Sequence, residues 1–462
     1  MTRKLTLTAI AALAALSITP GFANEASSSK VHEYQLDNGM RILVKEDHRA
    51  PVVTAMVWYK VGSSYEYEGI TGVSHLLEHM MFKGTEKHAP GEFSRIIAAN
   101  GGRENAFTSR DYTAYFQSLE ASRIEISFEM EADRMRNINI LDDEFAKEIE
   151  VVKEERRMRT EDKPESLTYE QFNAVAFLAS PYRQPIIGWM GDLDSMTADD
   201  ARDWYKIWYA PNNATLAVVG DVDPDEIYAL AKKHFGPLET SVIPALKPRP
   251  EVTQKGERRI TVKAPAELPY LLMGYKVPVV ATDVESMEPY ALSVLASILD
   301  GGNSARFARH LIRDQQVAAS AGAGYNLFSR LDNLFLFDAN PAQGHTINDV
   351  EQAIRAQIKQ LQKELVSDSE LARVKAQVIA SEVYEKDSVF YQAMQLGSLV
   401  TNGLDWRLGE QYADKIKQVT AEQVREVARK YLVDDTLTVA VLDPQPLDEK
   451  QPPRRHRSGG RH

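Results

Sequence analysis

Cysteine is absent from all 462 residues. The chain therefore has no disulfide, no thiolate metal site and no cysteine-linked lipid anchor. Long apolar runs are also missing: beyond Leu5–Ile18, no stretch approaches the roughly 20 residues that cross a bilayer. That first run is itself short for a span. It follows Arg3 and Lys4 and leads to Pro20–Gly21–Phe22–Ala23, the pattern of a secretory signal cleaved after Ala23, so residues 1–23 are expected to leave the mature chain. Export without cysteine points to a bacterial periplasm, with no transmembrane segment once the signal is gone. Basic residues are few for the size: 54 Lys and Arg against 66 Asp and Glu, a net charge of −12. Such an acidic chain argues against nucleic-acid binding. Only the end reverses the sign. Residues 446–462, with Arg454–Arg455–His456–Arg457, read as a disordered basic tail.

What remains is too long for one core and predicts at least two domains. Glu33–Leu36 and Met40–Lys45 flank the turn signal Asp37–Asn38–Gly39 as a hairpin, and Thr54–Val61 reads as a strand. Phe93–Ala99 is a short helix closed by Gly101–Gly102. Ala106–Leu119 reads as one long strand bent near Ser109–Asp111, with helices at about 121–137 and 142–160 after it. The proline-punctuated stretch 238–257 reads as a linker between an N-terminal domain at 31–237 and a C-terminal domain at 258–445. The second half repeats the first. Thr197 opens a helix leading to Tyr209, then the apolar strand Ala214–Val219, Asp221 and Pro224. Thr420 opens a helix leading to Tyr431, then Thr436–Val441, Asp443 and Pro444. This predicts an α+β fold of two homologous domains, each a mainly antiparallel sheet with helices packed on one face.

The most informative stretch is His75–Leu76–Leu77–Glu78–His79. On a helix, residues i and i+4 share a face, so both imidazoles can aim at one ion. Zinc favours such ligands, and a catalytic zinc needs a third ligand plus an open position for water. Glu78 stands where it can take a proton from that water; the order is H-x-x-E-H. With 10 His in the chain, chance would produce this pattern only ~0.02 times. The third ligand is expected on the helical stretch Asp143–Arg157. Phe145, Ile149 and Val152 form its apolar stripe, and carboxylates bordering a buried face need partners. Spacing alone leaves Glu144, Glu148, Glu150, Glu154 and Glu155 open.

His75-x-x-Glu78-His79 with Glu155, 76 residues after His79, resembles the pitrilysin-type (M16) metallopeptidases. The likeness continues through Val151–Val152–x–Glu154–Glu155, Phe82–Lys83–Gly84–Thr85, Gly101–Gly102–Arg103–Glu104–Asn105–Ala106–Phe107–Thr108–Ser109, Asp111–Tyr115, Tyr209–Ala210–Pro211–x–Asn213 and Gly220–Asp221. It spans about residues 31–445. The resemblance implies one Zn²⁺ per chain, held by His75, His79 and Glu155, with Glu78 as catalytic base and Glu148 as an assisting carboxylate. It implies two homologous halves closing as a clamshell, and a sheet edge at Asn105–Ala106 that pairs with extended substrate backbone.

One segment departs from the pattern. Active relatives place an Arg and a Tyr from the second half over the zinc. Arg313 matches the arginine, but Ser320 stands where the tyrosine belongs, and Tyr325 lies five residues further on. The expected function is a zinc endopeptidase acting on peptides or unfolded polypeptides. The alternatives are a non-catalytic or partner-dependent subunit, paired as a homodimer or with a zinc-less homologue that supplies the missing tyrosine, and a chaperone-like polypeptide binder.

Overall fold

The central strands of both halves carry apolar side chains on both faces, and that decides how the chain packs. The computed structural model describes residues 30–447. The expected signal at 1–23, and all but the first two residues of the expected tail, lie outside the described residues.

The first sheet contains β1 (Val31–Gln35), β2 (Arg41–Glu46), β3 (Val52–Tyr59), β4 (Arg103–Thr108), β5 (Thr113–Glu120) and β6 (Ala214–Gly220), in the order β1-β2-β6-β3-β5-β4. β2 and β6 run parallel; the other pairs are antiparallel. The second sheet contains β7 (Arg258–Pro265), β8 (Tyr270–Val277), β9 (Ala318–Gly324), β10 (Asn333–Pro341) and β11 (Leu437–Gln445), in the order β7-β11-β8-β10-β9. Its one parallel pair is β7 with β11. Without β1, the two sheets have the same order and the same strand directions, as a duplication requires.

The first half carries α1 (Val73–Met80), α2 (Glu92–Ala99), α3 (Ile124–Asn137), α4 (Asp142–Arg156), α5 (Pro164–Ala176), α6 (Met190–Ser195), α7 (Ala198–Trp208) and α8 (Pro224–His234). The second carries α9 (Glu288–Asp300), α10 (Ile347–Lys363), α11 (Asp368–Glu385), α12 (Val389–Thr401), α13 (Arg407–Gln418) and α14 (Ala421–Tyr431). α1, α3, α4 and α7 cover one face of the first sheet, over Ile42, Val44, Ala55, Val57 and Leu216. α9, α10 and α14 cover one face of the second, over Met273, Tyr275, Phe337 and Val439.

The remaining face of each sheet is also apolar, and a helix from the opposite half covers it. Ala393, Leu396 and Val400 of α12 lie on Leu43, Met56, Trp58 and Ala217 of the first sheet. Phe172 and Ala176 of α5 lie on Leu272, Leu334 and Ala440 of the second. The expected arrangement, helices on one face only, lacks this exchange. Strands buried on both faces need cover on both, and the exchange provides it. Among the described residues, no helix is long and apolar enough to cross a membrane.

The long strand expected at Ala106–Leu119 is instead a hairpin of β4 and β5. The Ser109 N–H donates to Tyr112 O (2.8 Å), closing a tight turn. The buried Asp111 carboxylate in that turn accepts from Ser64 Oγ at 2.7 Å, from Arg330 Nε at 2.9 Å and from the Tyr182 hydroxyl. The helix expected to run to 160 ends at Arg156, and a wider π-type turn at Arg157–Glu161 carries the chain toward α5.

Candidate metal centre

α1 is capped by Gly72, whose positive φ of 91° suits a residue without a Cβ. The buried Glu66 carboxylate accepts from the Gly72 N–H (2.7 Å) and the Ser74 N–H (2.8 Å), two groups that a helix start leaves without intrahelical partners. Burial pushes this carboxyl up to about 7, against the pull of those two N–H groups. Trp204 Nε1 donates to Ser74 Oγ (3.1 Å) and fixes the same turn from α7.

One turn further on, His75 and His79 lie with ring centroids 4.8 Å apart. α4 packs against α1 and brings in Glu155: its Oε2 lies 3.3 Å from His79 Nε2, and its Oε1 lies 3.9 Å from His75 Nε2. One donor atom from each residue falls within 4.8 Å of the others, and no other His, Cys, Asp or Glu group among the described residues meets this test. Tetrahedral zinc with bonds near 2.0–2.2 Å separates its ligand atoms by roughly 3.3–3.5 Å. The two-imidazole, one-carboxylate set therefore fits zinc in its chemistry, and the His79–Glu155 pair already stands at the tetrahedral spacing while His75 lies a little wider.

The neighbours of these groups prepare them. His79 Nδ1 lies 2.9 Å from Glu148 Oε1, so a proton held there leaves Nε2 free as a lone-pair donor. Lys83 Nζ sits 2.5 Å from the other Glu148 oxygen. Arg159 Nη1 lies 2.6 Å from Glu155 Oε1 and turns Oε2 toward the histidines. Their surroundings pull the two imidazoles in opposite directions. Burial and the neighbouring His79 take His75 down to about 4. Burial opposes the charge on His79, but Glu148 and Glu155 bring it up to about 9. Next to Glu155, Arg156 is buried and makes a bidentate pair with Glu170 of α5 (2.7 and 2.8 Å) while donating to Gly188 O (2.8 Å). That pair ties the two ends of the π-type turn together.

Glu78 has a different partner from His79. Its Oε2 accepts from Thr108 Oγ1 (2.5 Å) at the end of β4. Burial raises the carboxyl and the Thr108 hydroxyl lowers it, leaving it above its ordinary value. Among the described residues, β4 is a sheet edge with β5 as its one neighbour. The Asn105 side chain folds back to accept from the Ala106 N–H (2.9 Å). A cavity of about 1110 Å³ is lined by His75, Glu78, His79, Glu155 and residues of β4 on one side and by Tyr270, Asn326, Ser329, Asn333 and Asn402 of the second half on the other.

The structure thus brings together His75, Glu78, His79, Glu155, Asn105 and Ala106, with Glu148 behind His79. It does not bring Arg313 to them. Arg313 lies on the segment Phe307–Asp314, donates to Asn303 O (2.7 Å) and is not part of the cavity wall. Placing Arg313 over the zinc of its own chain is therefore corrected. Ser320 on β9 donates to Asn340 Oδ1 (2.8 Å), and the Tyr325 hydroxyl donates to Pro278 O (2.6 Å), so neither stands in the cavity wall in place of the expected tyrosine. Sequence reasoning gave no role to Thr108, Lys83, Arg159 or the Arg156–Glu170 pair. The first two stand within matched motifs, but nothing in their spacing names their partners.

Comparison with known proteins identifies relatives of the whole chain. Residues 41–188 match the family described as insulinase (peptidase family M16), and residues 195–378 match the peptidase M16 inactive domain. The zinc protease PqqE of Helicobacter pylori is 31% identical over 437 residues, 93% of this chain and 97% of that protein. The crystal structure of a protease from Helicobacter pylori covers 90% of this chain and 100% of that one, with a TM-score of 0.85 and 29% identity. The periplasmic protease PqqL from Escherichia coli shares the fold at 21% identity with a TM-score of 0.74, covering 91% of this chain but 49% of that one.

Proposed function

The chain belongs to the M16 (insulinase) peptidase family, and we propose that it is a zinc-dependent endopeptidase that hydrolyses peptides or unfolded polypeptides in the periplasm. The observation that carries this reading is the convergence of His75, His79 and Glu155 beside the Glu78 carboxylate, on the wall of one cavity. The signal-like first 23 residues and the likeness to a periplasmic protease support the location.

Zinc, when bound, supplies Lewis acidity toward the scissile carbonyl and toward water. The protein does the rest. Glu148 holds His79 in the tautomer that presents Nε2, and Arg159 orients the Glu155 carboxylate. The free edge of β4 offers main-chain donors and acceptors to an extended peptide, which grips backbone with little regard to sequence. Asn105 would release the Ala106 N–H as the peptide arrives. Glu78 takes the proton from the attacking water and passes it to the departing amine.

A second reading concerns assembly. Arg313 stands away from the cavity, Ser320 replaces the expected tyrosine, and the chain matches about half of PqqL. These observations favour a second chain, either another copy or a zinc-less homologue, that faces this cavity and completes the site.

The test is hydrolysis of a quenched fluorescent peptide mixture by the zinc-loaded mature chain, with Glu78→Gln as control. Turnover by the wild type alone is expected. Equal turnover by both removes Glu78 from the mechanism, and silence from both, even with a homologue added, favours a non-catalytic polypeptide-binding role.

A further inference from the structure

Thr108 stands where the strand that would hold substrate meets the base that would attack it. Its hydroxyl donates to Glu78 Oε2 at 2.5 Å, and among the described residues no second hydrogen bond holds that carboxylate. Thr108 is also fixed. It pairs with Thr113 across the hairpin, and the Thr113 hydroxyl is anchored on Val61 O (2.9 Å). The turn that follows is pinned on two sides. The Ser63 and Ser64 N–H groups donate to Ser109 O (3.2 Å) and Arg110 O (2.7 Å). Asp111 is held by Ser64 and by Arg330 of the second half.

We propose that Thr108 is a positioning residue that fixes the Glu78 carboxylate relative to the backbone of a peptide bound along β4. This rests on the peptidase reading above. Because one rigid strand carries both the peptide-binding edge and the hydroxyl that orients the base, the spacing between base and scissile amide is set within a single element. A carboxylate freed from that hydroxyl still lies in the site, but it samples orientations that do not reach the water. The hydroxyl makes no contact with the metal ligands, and its loss leaves the backbone edge of β4 intact. The effect therefore falls on turnover, with peptide binding and zinc binding unchanged.

The experiment compares wild type, Thr108→Val, Thr108→Ser and Glu78→Gln, each loaded with zinc. For each, kcat and KM are measured on a quenched fluorescent peptide, zinc affinity by competition with a chelating dye, and Tm by thermal unfolding. Thr108→Val is isosteric and should fold. Its kcat is expected to fall about 10- to 100-fold, as small misplacements of catalytic groups do. KM, zinc affinity and Tm should stay at wild-type values, and Thr108→Ser should restore most of the turnover. Wild-type kcat in Thr108→Val, a loss confined to KM, or no rescue by Thr108→Ser would each overturn the proposal while leaving the peptidase reading in place. A wild type as silent as Glu78→Gln overturns both.

Discussion

The indole of Trp58 fills the space that a side chain at position 397 would need: a Cβ on Gly397 would sit 2.0 Å from Trp58 Nε1. The opposite crossing reverses the roles. A Cβ on Gly274 of β8 would sit 2.6 Å from Cζ of Phe172 on α5. Trp58 lies opposite Thr215 and Gly274 opposite Thr438, corresponding places in the two sheets. In each exchange of a helix between halves, one partner carries a ring and the other carries nothing. Gly397→Ala is expected to cost about 1–3 kcal/mol through overpacking. Thermal unfolding followed by tryptophan fluorescence would show the lowered Tm, and adding Trp58→Phe should recover part of it.

Glu148 touches the histidine and not the metal position, so its removal should weaken zinc without destroying the site. Glu148→Gln keeps an acceptor for His79 Nδ1 but loses the charge that Lys83 pairs with at 2.5 Å. Zinc affinity should fall about 10- to 100-fold. Glu155→Ala removes a ligand and should leave no stoichiometric zinc, whereas Glu78→Gln should retain one zinc per chain. Elemental analysis after dialysis, with chelator competition, separates the three. An apo-protein that regains turnover with zinc would complete the case.

Asp111 is buried between the halves, with Arg330 Nε at 2.9 Å and the guanidinium 4.6 Å from the centre of the Tyr65 ring. Removing one partner strands the other charge. Arg330→Met or Asp111→Asn alone should cost roughly 3–5 kcal/mol, and the double variant well short of the sum. Urea unfolding of the four proteins closes the cycle. Simple additivity would mean that the pair does not hold the halves together.

The zinc half of the site was legible because helical spacing turns a linear motif into a face: His75, Glu78 and His79 needed nothing beyond one turn of α1. Glu155 was not reachable that way. Five glutamates on α4 share a similar pattern, and only the packing of α4 on α1 separates Glu155, aimed at the histidines, from Glu154. The duplication was legible in the two capped helix–strand pairs that start at Thr197 and Thr420. The helix exchange was not, because nothing local in the sequences of α5 and α12 says which sheet they cover. The break at Ser109–Tyr112 was blurred because β-branched and aromatic residues continue on both sides of it. What makes the turn is Asp111 meeting Ser64 and Arg330, partners 47 and 219 residues away. Thr108 was hidden for the same reason: its partner Glu78 lies 30 residues back, on a different element.

Glu251 gives the fold an acid-sensitive clasp. Its carboxylate accepts from the Leu178 (3.0 Å), Ala179 (2.9 Å) and Ser180 (2.8 Å) N–H groups, and from Lys276 Nζ (2.7 Å). It thereby joins the segment before β7 to the loop after α5 and to the second sheet. Burial alone would raise this carboxyl, but the Leu178 N–H, Lys276 and the other two N–H groups outweigh it and hold it at about 2, against an ordinary value of 4.5. A group depressed in the folded state binds its proton more readily when unfolded. Its contribution to stability is therefore complete above 4.5 and disappears as the pH falls toward 2. Glu251→Gln removes that titration while keeping an acceptor for one or two of the N–H groups. The variant should be less stable than wild type at pH 7, and the gap in urea midpoint should narrow steadily from pH 4.5 downward. A gap that stays constant across that range would mean that the charge on Glu251 does not contribute to the clasp.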